Sequence, residues 1–382
     1  MDICDLGAKL YGEWLRPYLQ VLIVTTNGIA LIMYTMFFGF ISDQLMCKTF
    51  HAAECGNNRL YSAAILIFLF PILCLRRLSK IGIFSAIAMS FTLLAIVLIL
   101  VMCGEVYSKS ADEDRDDYGL AITEDDRDYN YFDGMMIPVV CATLNSLFEG
   151  NQVILNIYAE SDKPKSFFTK VAIAIVSLSL GIVITVGYLG YLAFGNSVKS
   201  VIVYNFPNED PLAITVKLCY VLTISGSYVL LVQPVFHIIE SCLFYKNGTC
   251  CCCAKPVEED EEGDEEKPWT CLQLFKFLLV RFLIVVIIFF FSILVPNVNI
   301  MLIISGSLCG TLVNIVIPVL FYNRAYNGSE KNKKLEDGDH PEDGRRWIKA
   351  CNWVFLVIGI LVGVWGLVFV AMNFGSAHAD KV

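Results

Sequence analysis

The chain has 382 residues, of which 56% are hydrophobic, a mean hydropathy of +0.63 and a formal net charge of −9. This composition is too apolar for a soluble globular protein, and apolar runs of about 18 or more residues recur along the chain, as transmembrane helices require. We therefore expect an all-α integral membrane protein.

Nine apolar stretches predict transmembrane helices. Their approximate bounds are 17–41, 60–75, 82–103, 135–157, 171–194, 213–239, 273–295, 299–321 and 350–373. If the N-terminus is cytosolic, 19 of the 28 Lys and Arg residues fall in cytosolic segments, 7 fall outside and two lie within spans. Because Lys and Arg concentrate on the cytosolic side of membrane proteins, we expect a cytosolic N-terminus.

Three loops differ from the spans in composition. Residues 105–133 form an external loop with eleven acidic and three basic residues, 244–272 a Cys-rich and acidic cytosolic loop, and 323–349 a basic-rich cytosolic loop. The second of these contains the run Cys250, Cys251, Cys252 and Cys253, which lacks the spacing and histidines of a zinc site. Juxtamembrane cysteines are typical palmitoylation sites, so we predict acylation, with an unmodified run as the alternative.

Glu149 is the only acidic residue well inside any predicted span. A charged side chain at that depth costs about 2.5 to 3.5 kcal/mol on insertion scales, and such residues usually mark a path for ions or solutes. The adjacent Gly150 allows the backbone to leave the helix, which membranes tolerate only where the chain lines a cavity. The polar residues nearby are Thr143, Asn145, Ser146, Asn151 and Gln152. We therefore predict that this span lines a cavity.

The same stretch carries a resemblance to a known family. Phe148-Glu149-Gly150, the apolar run that follows it and Pro164-Lys165 resemble the sixth helix of the amino acid/auxin permease family. Other parts are similar to this family in the expected order: Asp5-Leu6-Gly7 to the approach to its third helix, Tyr191–Asn196 to the turn after its seventh, and Val295-Pro296-Asn297 and Ser305-Gly306-Ser307 to its ninth and tenth helices.

The resemblance implies a LeuT-like fold, an inverted repeat of five plus five helices with the solute site at mid-membrane between two broken helices. Because Asp5 already matches the approach to the third helix, the first two helices of the family would be missing. We therefore expect an incomplete LeuT-like bundle with nine spans. The function it implies is secondary active transport of amino acids by alternating access, coupled to H⁺ or Na⁺. A non-transporting regulator or amino acid sensor, or a truncated transporter fragment, is the alternative.

Five residues around the predicted break are the first candidates for the site. Glu149 is expected to carry the coupling proton, because an apolar environment favours the neutral form of a carboxyl group. Main-chain groups freed at Gly150 are expected to meet the charged ends of an amino acid. Ser146, Phe148 and Asn151 offer a hydroxyl, an aromatic wall and an amide, with interhelical packing as their alternative role.

Further candidates lie in the spans that the resemblance places around this site. They are Thr25 and Asn27 in the first span, and Ser225 and Tyr228 in the sixth.

Two cations within spans, Lys217 and Arg281, provide an alternative role for Glu149, which could simply pair with one of them. We also expect Arg281 to reach the cytosolic interface by extending its side chain along the helix, and to have a structural role.

Two glycine pairs, Gly306 with Gly310 and Gly359 with Gly363, have the four-residue spacing that allows helices to approach closely. Enzyme signatures are missing from the sequence, which has four histidines and no P-loop. We expect no enzymatic activity, no metal site, no cofactor and no nucleic acid partner. The expected partners are an amino acid, a coupling ion and the lipid bilayer, in the plasma membrane or an endolysosomal or vacuolar membrane.

Overall fold

The structure is a computed structural model, and every element in its described part is helical. The described residues are 3–49, 56–74, 78–109, 134, 136–147, 165–199, 201–206, 210–244, 271–295, 298–333 and 343–373. The helices are α1 (Ile3–Tyr11), α2 (Leu15–Thr49), α3 (Asn58–Leu73), α4 (Leu78–Lys109), α5 (Ile137–Leu147), α6 (Lys165–Phe194), α7 (Pro211–Phe244), α8 (Cys271–Leu294), α9 (Val298–Ile304), α10 (Ile317–Lys333) and α11 (Asp343–Asn373).

Two kinds of less common helix complete the fold. Short 3₁₀ turns span Gly195–Ser197 and Ile202–Asn205, between α6 and α7. The residues Ser305–Val316 form a π-helix, which continues α9 into α10 without interruption; we call it the π segment. The sequence pattern did not predict this segment.

Seven stretches within the described helices are long and apolar enough to cross a membrane. The prediction of an all-helical, multi-pass membrane protein is therefore confirmed. The remaining two predicted spans coincide with shorter elements: α3 has 16 residues, and the 11 described residues of α5 end at Leu147. The count of nine spans and the inverted repeat stay predictions.

The helices pack in two groups, which differ in composition. The first packing group consists of α2, α3, α4, α7 and α8, with α6 attached to α4. Its core is apolar and rich in aromatic side chains, among them Phe38, Phe194, Phe206 and Phe236. The second packing group consists of α5, α9, the π segment, α10 and α11. Contacts of α2 with α9 and with the π segment join the two groups.

Arg281 is buried between helices of the first packing group. It is 5% exposed, and its Nε donates a 2.7 Å hydrogen bond to Oε1 of Glu240 on α7. Its extension to the cytosolic interface stays a prediction, and the pairing with Glu240 is a new contact that the sequence pattern did not indicate. The sequence did not reveal this because the partner lies 41 residues away, one residue beyond the predicted end of the sixth span, whereas α7 continues to Phe244.

Candidate functional site

Several predicted site residues lie outside the described residues. Phe148, Glu149, Gly150 and Asn151 follow directly on the last described residue of α5, and the run 250–253 lies in the loop between α7 and α8. The roles assigned to them stay predictions. The described residues before Glu149 nevertheless show which groups surround the start of the predicted break.

The last turn of α5 carries two polar side chains with different partners. The Ser146 hydroxyl donates a 2.7 Å hydrogen bond to the carbonyl of Thr143 in its own helix. Asn145 instead reaches across to the π segment, where its Nδ2 donates to the carbonyl of Gly306 at 3.0 Å. Asn145, which was noted in the sequence only as a polar neighbour of Glu149, therefore connects α5 to the π segment through its side chain.

The π segment provides an acceptor that an α-helix would not expose so readily. Helices with i→i+5 hydrogen bonds are wider than α-helices and occur frequently at functional sites. The Gly306 carbonyl accepts from Asn145 and also from the Thr311 hydroxyl at 3.3 Å, five residues further along the chain. The polar groups of the two elements thus bond to each other within an apolar bundle, where an unbonded amide or hydroxyl would be costly.

A second asparagine completes the connection. Nδ2 of Asn314 donates to the main-chain carbonyl of Asn145 at 3.0 Å and lies 3.2 Å from its side-chain Oδ1. We call Asn145, Gly306, Thr311 and Asn314 the polar clamp. The clamp holds the end of α5 by both the side chain and the backbone of Asn145, just before the predicted break at positions 148–150.

Close backbone packing brings the clamp together. A Cβ atom on Gly306 would overlap the carbonyl oxygen of Ala142 on α5, and one on Gly363 of α11 would lie 2.7 Å from the carbonyl oxygen of Ser307. The predicted close approach at the glycine pairs is therefore confirmed for these positions. Ser307 is 3% exposed, and its hydroxyl has no hydrogen-bond partner among the described residues.

The remaining candidates lie in the first packing group and do not converge with the clamp. Thr25 is exposed and bonds to the Val21 carbonyl of its own helix at 2.8 Å, and Ser225 bonds in the same way to Val221 at 2.7 Å. These two hydroxyls are therefore satisfied within their own helices.

Asn27 and Tyr228 are both buried, on α2 and α7 respectively, but at different levels of the bundle. The Tyr228 ring packs 5.8 Å from the Phe38 ring, and its hydroxyl lies near Thr35. Thr35 is eight residues beyond Asn27, or about 12 Å along α2. The structure therefore does not bring Asn27 and Tyr228 to one point.

The two cations considered as partners of Glu149 already have contacts. Arg281 is paired with Glu240, as described above. Lys217 is 1% exposed, and its Nζ donates to the carbonyl of Phe206 at 3.4 Å, near the start of α7. These contacts weigh against a purely structural pairing of Glu149 with Arg281.

A groove of about 280 Å³ lies between α4 and α6, away from the clamp. Its lining includes Ile96, Leu100, Leu178 and Ile182. The hydroxyl of Thr185 in the same groove bonds to the Gly181 carbonyl at 2.8 Å. Since an amino acid needs polar groups for both of its charged ends, this apolar groove does not suit it, and the clamp remains the better candidate.

Comparison with known proteins identifies the family. Residues 3–372 match the family described as transmembrane amino acid transporter protein. Vacuolar amino acid transporter 4 of Saccharomyces cerevisiae is 25% identical over 256 residues, which cover 63% of this chain and 32% of that protein. Vacuolar amino acid transporter 3 of the same yeast is 28% identical over 252 residues, covering 64% and 34%.

A third relative, vacuolar amino acid transporter 3 of Schizosaccharomyces pombe, is 26% identical over 250 residues, covering 64% of this chain and 35% of its own length. The match to this chain thus spans about a third of each curated relative. Because the family match extends over nearly the whole sequence, the chain belongs to the transmembrane amino acid transporter protein family.

Proposed function

We propose that this protein transports amino acids across a membrane by alternating access. Membership of the family supports the proposal, as do the names of the three yeast relatives. The structural observation that carries it is the polar clamp, a set of side-chain amides, a hydroxyl and main-chain carbonyl acceptors where α5 meets the π segment. In a membrane bundle such groups bond between helices, and here they lie directly before the predicted break at Gly150.

The transported amino acid would bind where α5 ends. Helix ends present unpaired main-chain groups, and a break at Gly150 would offer amides to the carboxylate of an amino acid and carbonyls to its ammonium group. The clamp contributes by holding the backbone of α5 at Asn145, so that the following residues emerge at a defined place. Ser146 and Asn151 would then contact the amino acid, and Phe148 would form one wall of its binding site.

Glu149 would carry the coupling proton. A carboxyl group in an apolar site is easily neutralised, so its charge changes with the proton concentration on the side to which the site is open. Since the relatives are named vacuolar transporters, an acidic compartment would supply the gradient. We also propose a nine-span bundle related to the five-plus-five inverted repeat, with a cytosolic N-terminus, as the frame in which this site operates.

Uptake into proteoliposomes tests the proposal. Purified protein is reconstituted, and the uptake of a panel of labelled amino acids is measured with and without an imposed proton gradient. We expect uptake that depends on the gradient, and loss of that dependence in Glu149→Gln. The matched control is Glu105→Gln in the last turns of α4, which should leave the gradient dependence unchanged.

The possible outcomes separate the alternatives. Amino acid binding without flux would contradict transport and support the sensor. Flux that ignores the gradient in the unmodified protein would contradict proton coupling, and flux that follows a sodium gradient would assign the coupling to Na⁺. Gradient-dependent flux that persists in Glu149→Gln would remove this residue from the mechanism.

A further inference from the structure

Helix α1 is firmly attached to α2. Gly12 has a φ of +106°, a conformation that favours glycine, and it forms the turn between the two helices. Nε1 of Trp14 donates to the Tyr11 carbonyl at 2.8 Å, so the last turn of α1 is held from beyond the turn. Arg16 on α2, which is 7% exposed, forms a 2.7 Å ion pair with Asp5 on α1. The Asp5 side chain is 28% exposed, so the pair is partly buried, and breaking it would leave the buried Arg16 guanidinium without this partner.

The other side of α1 contacts α10, which belongs to the second packing group. The Tyr11 hydroxyl donates to the Leu320 carbonyl at 3.0 Å, and Nε of Arg324 donates to the Leu10 carbonyl at 3.3 Å. The Arg324 guanidinium lies 5.5 Å from the centroid of the Tyr11 ring. Both hydrogen bonds are exposed, so water can replace them when they open. The buried Phe321 of α10 also packs with Ile3 and Cys4 of α1 in an apolar cluster.

We propose that α1 is a strap, permanently fixed to α2 and releasable from α10, that keeps the two packing groups together at the end of the bundle where α2 begins. The proposal rests on alternating access as the proposed function, since that mechanism requires the two groups to change their relative orientation. The asymmetry of the contacts carries the inference. A glycine turn and an ion pair with a buried guanidinium secure one side, whereas the polar contacts on the other side are solvent-exposed hydrogen bonds that accompany the apolar contact with Phe321.

Distance measurements test the strap independently of flux. Spin labels are attached to ketone-bearing unnatural residues, which leaves the fifteen native cysteines untouched. One label pair, at Lys9 and Ala325, reports on the α1–α10 distance; the control pair, at Lys9 and Tyr18, reports on the α1–α2 distance. All three positions are exposed.

We expect the combined variant Tyr11→Phe and Arg324→Gln to add a longer distance for the first pair and to leave the control pair unchanged. Tyr11→Phe removes a hydroxyl and Arg324→Gln a guanidinium, and neither touches the ion pair that holds α1 to α2. A single, unchanged α1–α10 distance in this variant would overturn the strap, and so would an equal change in both pairs.

Cross-linking tests the consequence for transport. The variant Leu10→Cys with Arg324→Cys is treated with a short bis-methanethiosulfonate, which forms a reducible disulfide with each thiol, and each single variant is treated in parallel. We expect the double variant to lose most of its flux and to regain it after reduction, with amino acid binding retained. Complete cross-linking without loss of flux would contradict the strap. If the untreated protein shows no flux at all, the proposed function fails, and the distance measurements decide the strap.

Discussion

The ion pair between Arg281 and Glu240 leads to a quantitative prediction for stability. Besides its two contacts with Glu240, at 2.7 and 3.4 Å, Arg281 donates from Nη1 to the carbonyl of Leu73 at 2.6 Å. Its guanidinium also lies 4.7 Å from the ring centroid of Phe236 and 4.0 Å from that of Phe277. The side chain therefore connects the middle of α8 to the C-terminal ends of α3 and α7.

Glu240→Ala leaves the guanidinium buried without its counter-charge. Breaking a buried pair from one side typically destabilises a protein by about 3–5 kcal/mol. The Leu73 carbonyl and the two rings remain as partners, so we expect the lower end, about 3 kcal/mol of unfolding free energy. Replacing both charges, in Glu240→Leu with Arg281→Met, should restore most of this loss, because apolar residues of similar volume substitute well for buried ion pairs.

Unfolding by sodium dodecyl sulfate in mixed micelles, followed by circular dichroism, measures these free energies. The control Lys170→Ala removes an exposed charge on α6 and should change the free energy by less than about 0.5 kcal/mol. The reasoning is refuted if Glu240→Ala is no more destabilising than Lys170→Ala. A double variant that is as unstable as Glu240→Ala would show that the cost does not arise from an unpaired charge.

Three further predictions concern other parts of the chain. Gly306→Ala places a methyl group against the Ala142 carbonyl and should lower the unfolding free energy by about 1–3 kcal/mol. The control Gly187→Ala, where a Cβ meets nothing within 4 Å, should be neutral or slightly stabilising. Equal effects of the two variants on the melting temperature would contradict this prediction. Asn314→Ala removes the donor to Asn145 and should lower the free energy of unfolding by about 0.6–1.7 kcal/mol. It should also reduce amino acid uptake, and unchanged uptake would show that the polar clamp is not needed for transport. Replacing Cys250–Cys253 by serine should abolish hydroxylamine-sensitive acyl labelling, and label that persists would place it elsewhere.

The position of the polar clamp was only partly predictable from the sequence. The polar residues before Glu149 indicated that the end of α5 is unlike a lipid-facing helix, and Asn145 stands among them. Its partner Asn314 is 169 residues away in the sequence, and although an asparagine within an apolar run is noticeable, nothing in the pattern indicates its partner. The choice of partner depends on how α5 packs against the π segment, and local sequence patterns do not contain this information.

The glycine pairs show how much a local sequence pattern can predict. Their spacing correctly predicted close approach, because small residues four apart leave a groove on one face of any helix. The pattern did not specify that Gly306 would meet the Ala142 carbonyl or that Gly363 would meet the Ser307 carbonyl. It also did not predict the π segment, since i→i+5 bonding is rarely favoured by the sequence of the helix itself and is stabilised by its neighbours.

The sequence by itself determined the class of the protein, the positions of the apolar spans and the family resemblance. These properties follow locally, because a bilayer requires each crossing segment to be apolar and to satisfy its own backbone hydrogen bonds. The tertiary structure alone decided the pairing of Arg281 with Glu240, the two packing groups and the different strengths of the contacts on the two sides of α1. Each of these depends on which distant segments come within hydrogen-bond range, and that is set by the packing of whole helices.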